Sequence, residues 1–216
     1  MTVEAHPCDI SQDSSTEHLL AYPMVDAERA RKRTVSMRDL YQVWSSALSA
    51  KEIEDITTTA MRQASQEATT FSAETEIQDK RSCTIRWLPD QWIKDLLWTY
   101  VQQANQDAFH IDVDNHAEMQ FTEYRATQGD HYDWHHDVQW TGQAPQDRKL
   151  SVTVQLSDGA SYGGGDFEFD EVQTNADFRS KGTVLIFPSY LRHRVQPVTA
   201  GTRRALVAWF FGPRWR

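Results

Sequence analysis

The fold is decided by residues 183–211, which read TVLIFPSYLRHRVQPVTAGTRRALVAWFF. Three short runs rich in apolar and β-branched residues fall within this stretch. The runs cover residues 183–187, 192–196 and 203–211. They are separated by Pro188, Pro197 and Gly201, and proline and glycine are the residue types that interrupt strands and permit reversals. The stretch therefore predicts three β-strands joined by short connections.

Short apolar runs separated by turn residues begin about sixty residues earlier in the chain. Further strands are predicted at residues 117–125, 131–137, 150–156 and 166–170. The run Gly163-Gly164-Gly165 lies between two of them and supplies the positive φ angles that a tight reversal needs. Seven or eight short strands predict a mainly β fold with flanking helices (α+β), built as a barrel or double-sheet roll.

Two helices are predicted on the N-terminal side of these strands. Ser49 followed by Glu52 has the spacing of a capping box, and an apolar helical face follows, so we expect a helix near residues 50–66. A second helix is expected after Pro89-Asp90, where Asp90 can serve as the N-cap. Both apolar stripes are predicted to pack on the core.

The length of 216 residues and the hydrophobic content of 39% favour one domain. Residues 1–38 are polar and lack sustained periodicity, which predicts a loosely ordered leader. We expect a single domain over residues 39–216, with helical support at about 45–110 and the strand core at about 117–211.

Composition argues against several classes of partner. The net charge of -9 disfavours nucleic acid as a partner. No run approaches the roughly 18 apolar residues of a membrane span, and Glu4, Asp9 and Asp13 make the N-terminus unlike a signal peptide. Cys8 and Cys83 are too few for a disulfide framework and are expected to be free thiols. These features predict a cytoplasmic protein; oligomeric state is not predicted.

The densest cluster of possible metal ligands is the sequence YDWHHD, which begins at Tyr132. Side chains two residues apart in a strand point to the same side. His135 and Asp137 can therefore converge on one metal ion, whereas His136 points to the opposite face. This pattern predicts two of the ligands of a metal site.

A third ligand must come from another part of the chain. His193 lies in a predicted strand and is the leading candidate, and His131 is the second choice. Two imidazoles and one carboxylate leave three coordination positions open, which suits an iron(II) ion that binds a chelating cosubstrate and oxygen together. Zinc remains an alternative, because histidine and aspartate also form catalytic zinc sites.

A 2-oxoacid cosubstrate would present a distal carboxylate that an arginine can bind in bidentate fashion. Eight basic residues and no acidic ones follow Asp177, and Arg203 and Arg204 lie in a predicted strand. Positions 203, 205, 207 and 209 share one strand face. If that face is the inner one, Arg203 meets the carboxylate and Arg204 faces outward.

These residues resemble those of the iron(II) and 2-oxoglutarate dioxygenases of the prolyl 4-hydroxylase-like group, particularly the bacterial PKHD-type hydroxylases. The similarity covers about residues 81–211. The matching residues are Tyr124 through Gly129, Tyr132, His135, Asp137, Leu156-Ser157-Asp158, Tyr162-Gly163-Gly164-Gly165, Gly182-Thr183-Val184, Phe187-Pro188-Ser189, His193, Val195, Pro197-Val198, Gly201 and Arg203.

The resemblance implies a double-stranded β-helix (jelly-roll, cupin-like) core. It implies iron ligands at His135, Asp137 and His193. It further implies that Arg203 anchors 2-oxoglutarate and that Tyr124 donates a hydrogen bond to it. Gln155 stands where similar enzymes often have an aromatic residue, and either a contact with 2-oxoglutarate or a structural role is open for it.

The implied reaction is oxidative decarboxylation of 2-oxoglutarate by O2, coupled to hydroxylation of a substrate carbon. The cofactors are Fe(II) and 2-oxoglutarate, with ascorbate as a possible stimulant. The substrate is a small molecule or a peptidyl residue, and its identity is open. Candidates for the substrate pocket are Trp134, Trp140, Arg125, Arg148 and Trp209, although each can equally serve packing. The alternatives are a zinc-dependent hydrolase or lyase and a non-catalytic sensor.

Overall fold

Antiparallel β-sheets dominate the protein in a computed structural model, which describes residues 33–35, 40–68, 80–174 and 176–216. The strands are β1 (Arg33–Val35), β2 (Gln42–Trp44), β3 (Gln66–Glu67), β4 (Arg81–Ser82), β5 (Thr84–Trp87), β6 (Ala117–Arg125), β7 (His131–His135), β8 (Gln146–Gln155), β9 (Tyr162–Gly164), β10 (Phe167–Phe169), β11 (Val184–Pro188), β12 (His193–Val195) and β13 (Val198–Pro213). Two α-helices lie wholly within the described residues, α1 (Ala50–Met61) and α2 (Gln91–Ala104), and a π-helix (Asn105–Phe109) continues α2.

The strands form a jelly roll of two main sheets. The larger sheet has the order β1-β2-β11-β8-β13-β6-β5-β3, with β9 paired to β13, and the smaller has the order β10-β12-β7-β4. Side chains from both sheets line one cavity, among them His135 and His193 from the smaller sheet and Tyr124 and Arg203 from the larger. The predicted mainly β jelly-roll fold with flanking helices is confirmed.

Strand β13 divides the interior into two environments. Its side chains at Leu206, Ala208 and Phe210 are fully buried and belong to the main hydrophobic core, which includes α1 and α2. The side chains at Arg203 and Trp209 point the other way and line the cavity between the sheets. Because β13 is hydrogen-bonded to β6 on one edge and β8 on the other, this alternation is fixed along its length.

Helix α1 begins with the predicted capping box. The Ser49 hydroxyl accepts a hydrogen bond from the Glu52 amide, and the Glu52 carboxylate accepts one from the Ser49 amide. Ile53, Ile56 and Ala60 are buried against the sheet. The helix ends at Met61, shorter than the predicted 50–66, because the chain then turns to form β3, which pairs with β5.

Helix α2 begins where the sequence predicted, but its N-cap differs. The Asp90 side chain makes no capping hydrogen bond, and its Oδ2 is buried without a hydrogen-bond partner among the described residues. Packing of Ile93, Leu97 and Tyr100, all fully buried, holds the helix instead. The main stabilisation of α2 thus comes from its apolar face.

The N-terminal part of the chain contributes strands that the sequence pattern did not predict. Within the expected leader, β1 pairs with β2 in antiparallel register, and residues 1–32 and 36–39 lie outside the described residues. Cys8 falls in that part, whereas Cys83 is a buried free thiol. Across the described residues, no helix is long and apolar enough to cross a membrane.

The glycine run forms the reversal that its sequence predicted. Gly164 has φ +64° and Gly165 has φ +66°, a left-handed conformation that other residues adopt at a cost. The space is restricted as well, since a Cβ atom at Gly165 would lie 2.9 Å from Val198 Cγ2 and 3.1 Å from Arg203 Cδ. Glycine at 165 therefore leaves room for the stem of Arg203.

The capping box of α1 provides a test of how this helix is held. We expect Ser49→Ala to lower the free energy of unfolding by about 1 kcal/mol, because the Glu52 amide loses its acceptor. Ser65→Ala is the matched control, since Ser65 is exposed beyond the end of the helix. Urea denaturation followed by circular dichroism measures both, and equal stability of the two variants would contradict the role of the cap.

Candidate metal centre

Three buried side chains meet between the sheets, and they are His135, Asp137 and His193. Each offers one ligand atom, and these atoms lie within 4.8 Å of one another. The Nε2 atom of His135 is 3.7 Å from Asp137 Oδ1, and that of His193 is 3.5 Å from Asp137 Oδ2. His135 ends β7 and pairs directly with His193 at the start of β12, so neighbouring strands position both rings.

The backbone sets the orientation of both imidazole rings. His135 Nδ1 lies 2.7 Å from the carbonyl oxygen of Asp133, and His193 Nδ1 lies 2.8 Å from that of Leu191. A carbonyl oxygen only accepts hydrogen bonds, so each Nδ1 carries the proton and each Nε2 presents a lone pair. This is the arrangement in which histidines bind metal ions through Nε2.

Hydrogen bonds also fix the carboxylate. Asp137 lies two residues beyond the end of β7, where its amide donates to the Ser189 carbonyl at 2.9 Å. The Ser151 hydroxyl donates to Asp137 Oδ2 at 2.6 Å and lies 2.9 Å from the Ser189 hydroxyl. Both serines are fully buried. The carboxylate is thereby oriented from β8, and its backbone is held by the residue that follows β11.

The electrostatics suit a set of lone-pair donors. Burial lowers the pKa of His135 well below its ordinary value, and the neighbouring His193 acts in the same direction. Burial works against the charge of Asp137, but the two imidazoles, Arg148 and the Ser151 hydroxyl hold the pKa of this carboxyl below its ordinary value. A neutral imidazole beside a charged carboxylate is the state that binds a divalent cation.

The other two histidines considered from the sequence lie away from this cluster. His136 is exposed, and its Nδ1 is 2.7 Å from the Tyr190 carbonyl. The Nδ1 atom of His131 is 3.0 Å from the Gly129 carbonyl, outside the cavity. The separation of His135 from His136 follows the alternation of the strand.

The inner cavity next to the ligands contains a buried arginine. Arg203 is 3% exposed, and its guanidinium carbon lies 5.6 Å from the ring centre of Tyr124. Among the residues that the structure describes, none forms a hydrogen bond or ion pair with the Arg203 side chain. Burial raises the pKa of Tyr124 well above its ordinary value, so this phenol stays protonated and can donate a hydrogen bond.

Arg204, by contrast, points to the outer face of the sheet. Its Nε donates a hydrogen bond of 3.1 Å to the Glu123 carboxylate, and its side chain is 43% exposed. As the strand alternation predicted, Arg203 faces the cavity and Arg204 faces outward.

Gln155 lies beside Arg203 at the inner end of the cavity. Its Nε2 donates to the Ser157 carbonyl at 3.0 Å and to the Tyr162 hydroxyl at 3.1 Å. Its Oε1 is buried and has no hydrogen-bond partner among the described residues. Gln155 and Arg203 line the same small space, so the amide has both a structural contact and an open acceptor.

An outer cleft opens above the ligands, and four of the five predicted pocket residues line it. These are Trp134, Trp140, Arg148 and Trp209. The fifth, Arg125, does not line the cleft: it shares a strand face with Glu123, and its Nη2 is 3.7 Å from Glu123 Oε2.

Sequence reasoning missed two residues of the site. Ser151 reaches Asp137 from β8, and Arg81 lines both the inner cavity and the outer cleft from β4. Strand alternation could have placed Ser151 on the inner face of β8, since it is four residues before Gln155. No local pattern marks Arg81, because its position depends on the pairing of β4 with β7.

The fold and the three-ligand cluster together define a class of protein, the jelly rolls with two histidines and one carboxylate facing an inner cavity. Within this class, residues 119–211 match the family model of the 2OG-Fe(II) oxygenase superfamily. The resemblance predicted from the sequence is confirmed over this segment, which includes the three candidate ligands and Arg203.

Relatives and solved structures agree with this match. Over 86 residues the chain is 36% identical to a PKHD-type hydroxylase of Synechococcus sp. (strain CC9902), covering 39% of this chain and 38% of that protein. The chain thus spans about two fifths of the length of the curated relatives it matches. It shares its fold with the viral collagen prolyl hydroxylase vCPH from Paramecium Bursaria Chlorella virus-1, at a TM-score of 0.61 and 18% identity over 82% of this chain and 99% of that one. The chain also shares its fold with a Pseudomonas putida prolyl-4-hydroxylase, at a TM-score of 0.59 and 20% identity over 82% of this chain and 94% of that one.

The ligand geometry predicts different outcomes for two adjacent histidines. Loss of a hydrogen-bonding partner of a metal ligand costs roughly 10- to 100-fold in affinity, so we expect His135→Ala to weaken Fe(II) binding by at least about 100-fold. His136→Ala is the matched control and should bind Fe(II) like the unsubstituted protein. Anaerobic equilibrium dialysis measures both, and an equal loss in the two variants would refute the assigned ligand.

Proposed function

We propose that this chain is an Fe(II)- and 2-oxoglutarate-dependent dioxygenase that hydroxylates an unactivated carbon of an amino acid, a peptidyl residue or a small natural product. The observation that carries the proposal is the buried guanidinium of Arg203, which faces the same cavity as the three metal ligands. Residues 39–216 are proposed to form one dioxygenase domain.

The ligand set fits iron(II). His135, Asp137 and His193 offer two nitrogen donors and one oxygen donor, the set that leaves three positions open on an octahedral ion. The bound Fe(II) would supply, with 2-oxoglutarate and O2, the oxidising power that breaks a carbon–hydrogen bond. The protein residues hold the rings and the carboxylate in place, since the partners of each are backbone carbonyls or buried hydroxyls.

Arg203 fits the distal carboxylate of 2-oxoglutarate. A buried charge without a partner costs several kcal/mol, and a carboxylate that accepts two hydrogen bonds from the guanidinium offsets that cost. Tyr124 can donate a further hydrogen bond from its protonated phenol, and the Gln155 amide lies next to the guanidinium. We propose Arg203 as the anchor of the carboxylate and Tyr124 as a further donor, with Gln155 as a neighbour whose unpartnered Oε1 is a hydrogen-bond acceptor.

The remaining cavity walls exclude water from the ligands. Apolar side chains surround the cluster on the inner side, and they are Val152, Phe167, Phe187, Val195 and Val207. A carbon held against such a wall lies close to the metal ligands without competing solvent. The cleft residues Trp134, Trp140, Arg148 and Trp209 are proposed to contact the substrate.

A zinc-dependent hydrolase or lyase on the same scaffold is the competing function, because zinc accepts the same donors. That reading assigns no partner to Arg203. We therefore favour the 2-oxoglutarate reading, in which the buried cation and the open metal positions serve one cosubstrate.

The direct test is anaerobic titration of the Fe(II)-loaded protein with 2-oxoglutarate. We expect the weak visible absorption band that arises when a 2-oxoacid chelates Fe(II), and consumption of 2-oxoglutarate with release of succinate once O2 is admitted. Zn(II)-loaded protein should do neither. Hydrolytic activity supported by zinc without iron or 2-oxoglutarate would overturn the proposal.

The two adjacent arginines provide a matched pair of variants. Truncating one partner of a buried charge pair costs about 2–5 kcal/mol, and each 1.4 kcal/mol is tenfold in affinity. We therefore expect Arg203→Ala to raise the dissociation constant for 2-oxoglutarate by about 30-fold or more. Arg204→Ala removes the same charge from the outer face and should change it little. Similar effects of the two substitutions in the absorption titration would refute the role of Arg203.

A further inference from the structure

The inner cavity and the outer cleft meet at a junction where they share lining residues. The residues that line both are Arg81, Tyr132, His135, Asp137 and Trp209. A substrate that reaches the metal ligands from the cleft must pass this junction, so its polar groups contact these side chains. Two of the five are metal ligands, which leaves Arg81, Tyr132 and Trp209 for recognition.

Arg81 is a buried cation whose contacts are all uncharged. It is 9% exposed, its Nη2 donates to Gln120 Oε1 at 2.5 Å, and its Nε donates to Cys83 Sγ at 3.3 Å. Its guanidinium carbon lies 4.5 Å from the ring centre of Tyr132. Burial raises the pKa of the Cys83 thiol, which therefore stays neutral. Several N–H groups of Arg81 are left for a ligand.

The other cleft arginines are already neutralised. Arg148 pairs with Glu118 at 2.7 Å, and Arg192 pairs with Asp170 at 2.5 Å. Within the described part of the chain, no carboxylate lies within ion-pair distance of Arg81. A buried guanidinium in this situation is stabilised by an anion that arrives from outside.

Trp209 adds a second donor at the junction. Its indole Nε1 is buried and has no hydrogen-bond partner among the described residues. An indole nitrogen donates and never accepts, so the polar atom that completes this site must be an acceptor. Arg81 and Trp209 thus both require a hydrogen-bond acceptor on the ligand.

The rest of the cleft limits what else the ligand can carry. Asp137 is the one carboxylate among the described residues that line the cleft, and it is proposed to bind the metal. Among the described residues of the cleft, a free ammonium group would therefore find no carboxylate other than that of Asp137. Indole rings of Trp87, Trp134 and Trp140 also line the cleft, and such surfaces favour an apolar body.

The two buried arginines serve different ends of the cavity. Arg203 and Gln155 line the inner end, and Arg203 does not line the outer cleft. Arg81 lines the outer cleft and is absent from the space beside Gln155. Arg203 is placed for the cosubstrate and Arg81 for the compound that enters from the cleft.

We infer that Arg81 binds the carboxylate of the substrate, and that the substrate is a small carboxylic acid with an apolar body, for which N-acylated amino acids serve as probes. This inference rests on the proposed function, which supplies the metal and the cosubstrate next to Arg81. The Trp209 indole is a second donor to the same carboxylate or to the acyl oxygen.

The test compares matched acids and amides as ligands of the anaerobic protein loaded with Fe(II) and 2-oxoglutarate. The probes are the N-acetyl derivatives of leucine, methionine, phenylalanine and tryptophan, each as the free acid and as the primary amide, and binding is measured by calorimetry. We expect at least one acid to bind about 10-fold or more tightly than its amide. Equal binding of every acid and amide, or no binding of any acid, overturns the inference.

Two variants assign this preference to a residue. Arg81→Gln is expected to remove the preference for the acid, whereas Lys80→Gln, which removes the neighbouring exposed charge of the same cleft, keeps it. The 2-oxoglutarate absorption band reports folding of each variant, and Arg81→Lys is used if the glutamine variant shows no band. Retention of the preference in Arg81→Gln contradicts the inference.

The 2-oxoglutarate titration separates this inference from the proposed function. A tenfold loss of 2-oxoglutarate affinity in Arg81→Gln, without an effect on the acids, would make Arg81 a cosubstrate ligand and overturn its role here. Absence of the absorption band in the unsubstituted protein would contradict the proposed function itself, and the inference falls with it. A band without any acid preference contradicts the role of Arg81 alone.

Discussion

The alternation of side chains along β13 is the constraint on which the rest of the molecule depends. Since β6 and β8 hold both edges of this strand, its two faces cannot exchange. One face carries Leu206, Ala208 and Phe210 into the hydrophobic core, and the other carries Arg203 and Trp209 into the cavity. The charged side chain of Arg203 can be buried on the cavity face because the hydrophobic core is packed against the opposite face of the strand. One strand therefore contributes to both the hydrophobic core and the cavity, but through different side chains.

The ligand cluster is organised by groups that do not themselves bind metal. Backbone carbonyls orient His135 and His193, and the Ser151 hydroxyl, which lies 2.9 Å from that of Ser189, orients the Asp137 carboxylate. Holding the rings and the carboxylate in one arrangement reduces the conformational entropy that a metal ion would otherwise have to offset. Burying three polar groups in an apolar cavity costs free energy. The paired strands β7 and β12 hold both imidazoles in place between the two sheets despite this cost.

Local periodicity was sufficient for the part of the chain that forms the jelly roll. The strand predicted at residues 117–125 has those bounds in the structure, and two-residue alternation separated His135 from His136 and Arg203 from Arg204. The unpredicted features depend on contacts between distant segments. The short strand of Arg81 is defined by its pairing with β7, and the side chain of Arg125 is held by Glu123 on the outer face. Short strands such as β1 have too few residues for an alternating pattern to be recognised.

The glycine reversal next to β13 links two positions that have different chemistry. A Cβ atom at Gly165 would approach both Val198 and the Cδ atom of Arg203, so the path of the arginine side chain depends on the absence of a Cβ atom in the turn between β9 and β10. Effects of changes at 165 and 203 are therefore not additive. A larger residue at 165 would displace the Arg203 side chain while leaving its charge intact, and under the proposed function this would change which 2-oxoacid lengths the guanidinium can reach. If 2-oxoglutarate binds at Arg203 as proposed, the length of the acceptable cosubstrate would depend on Gly165, which does not itself line the cavity.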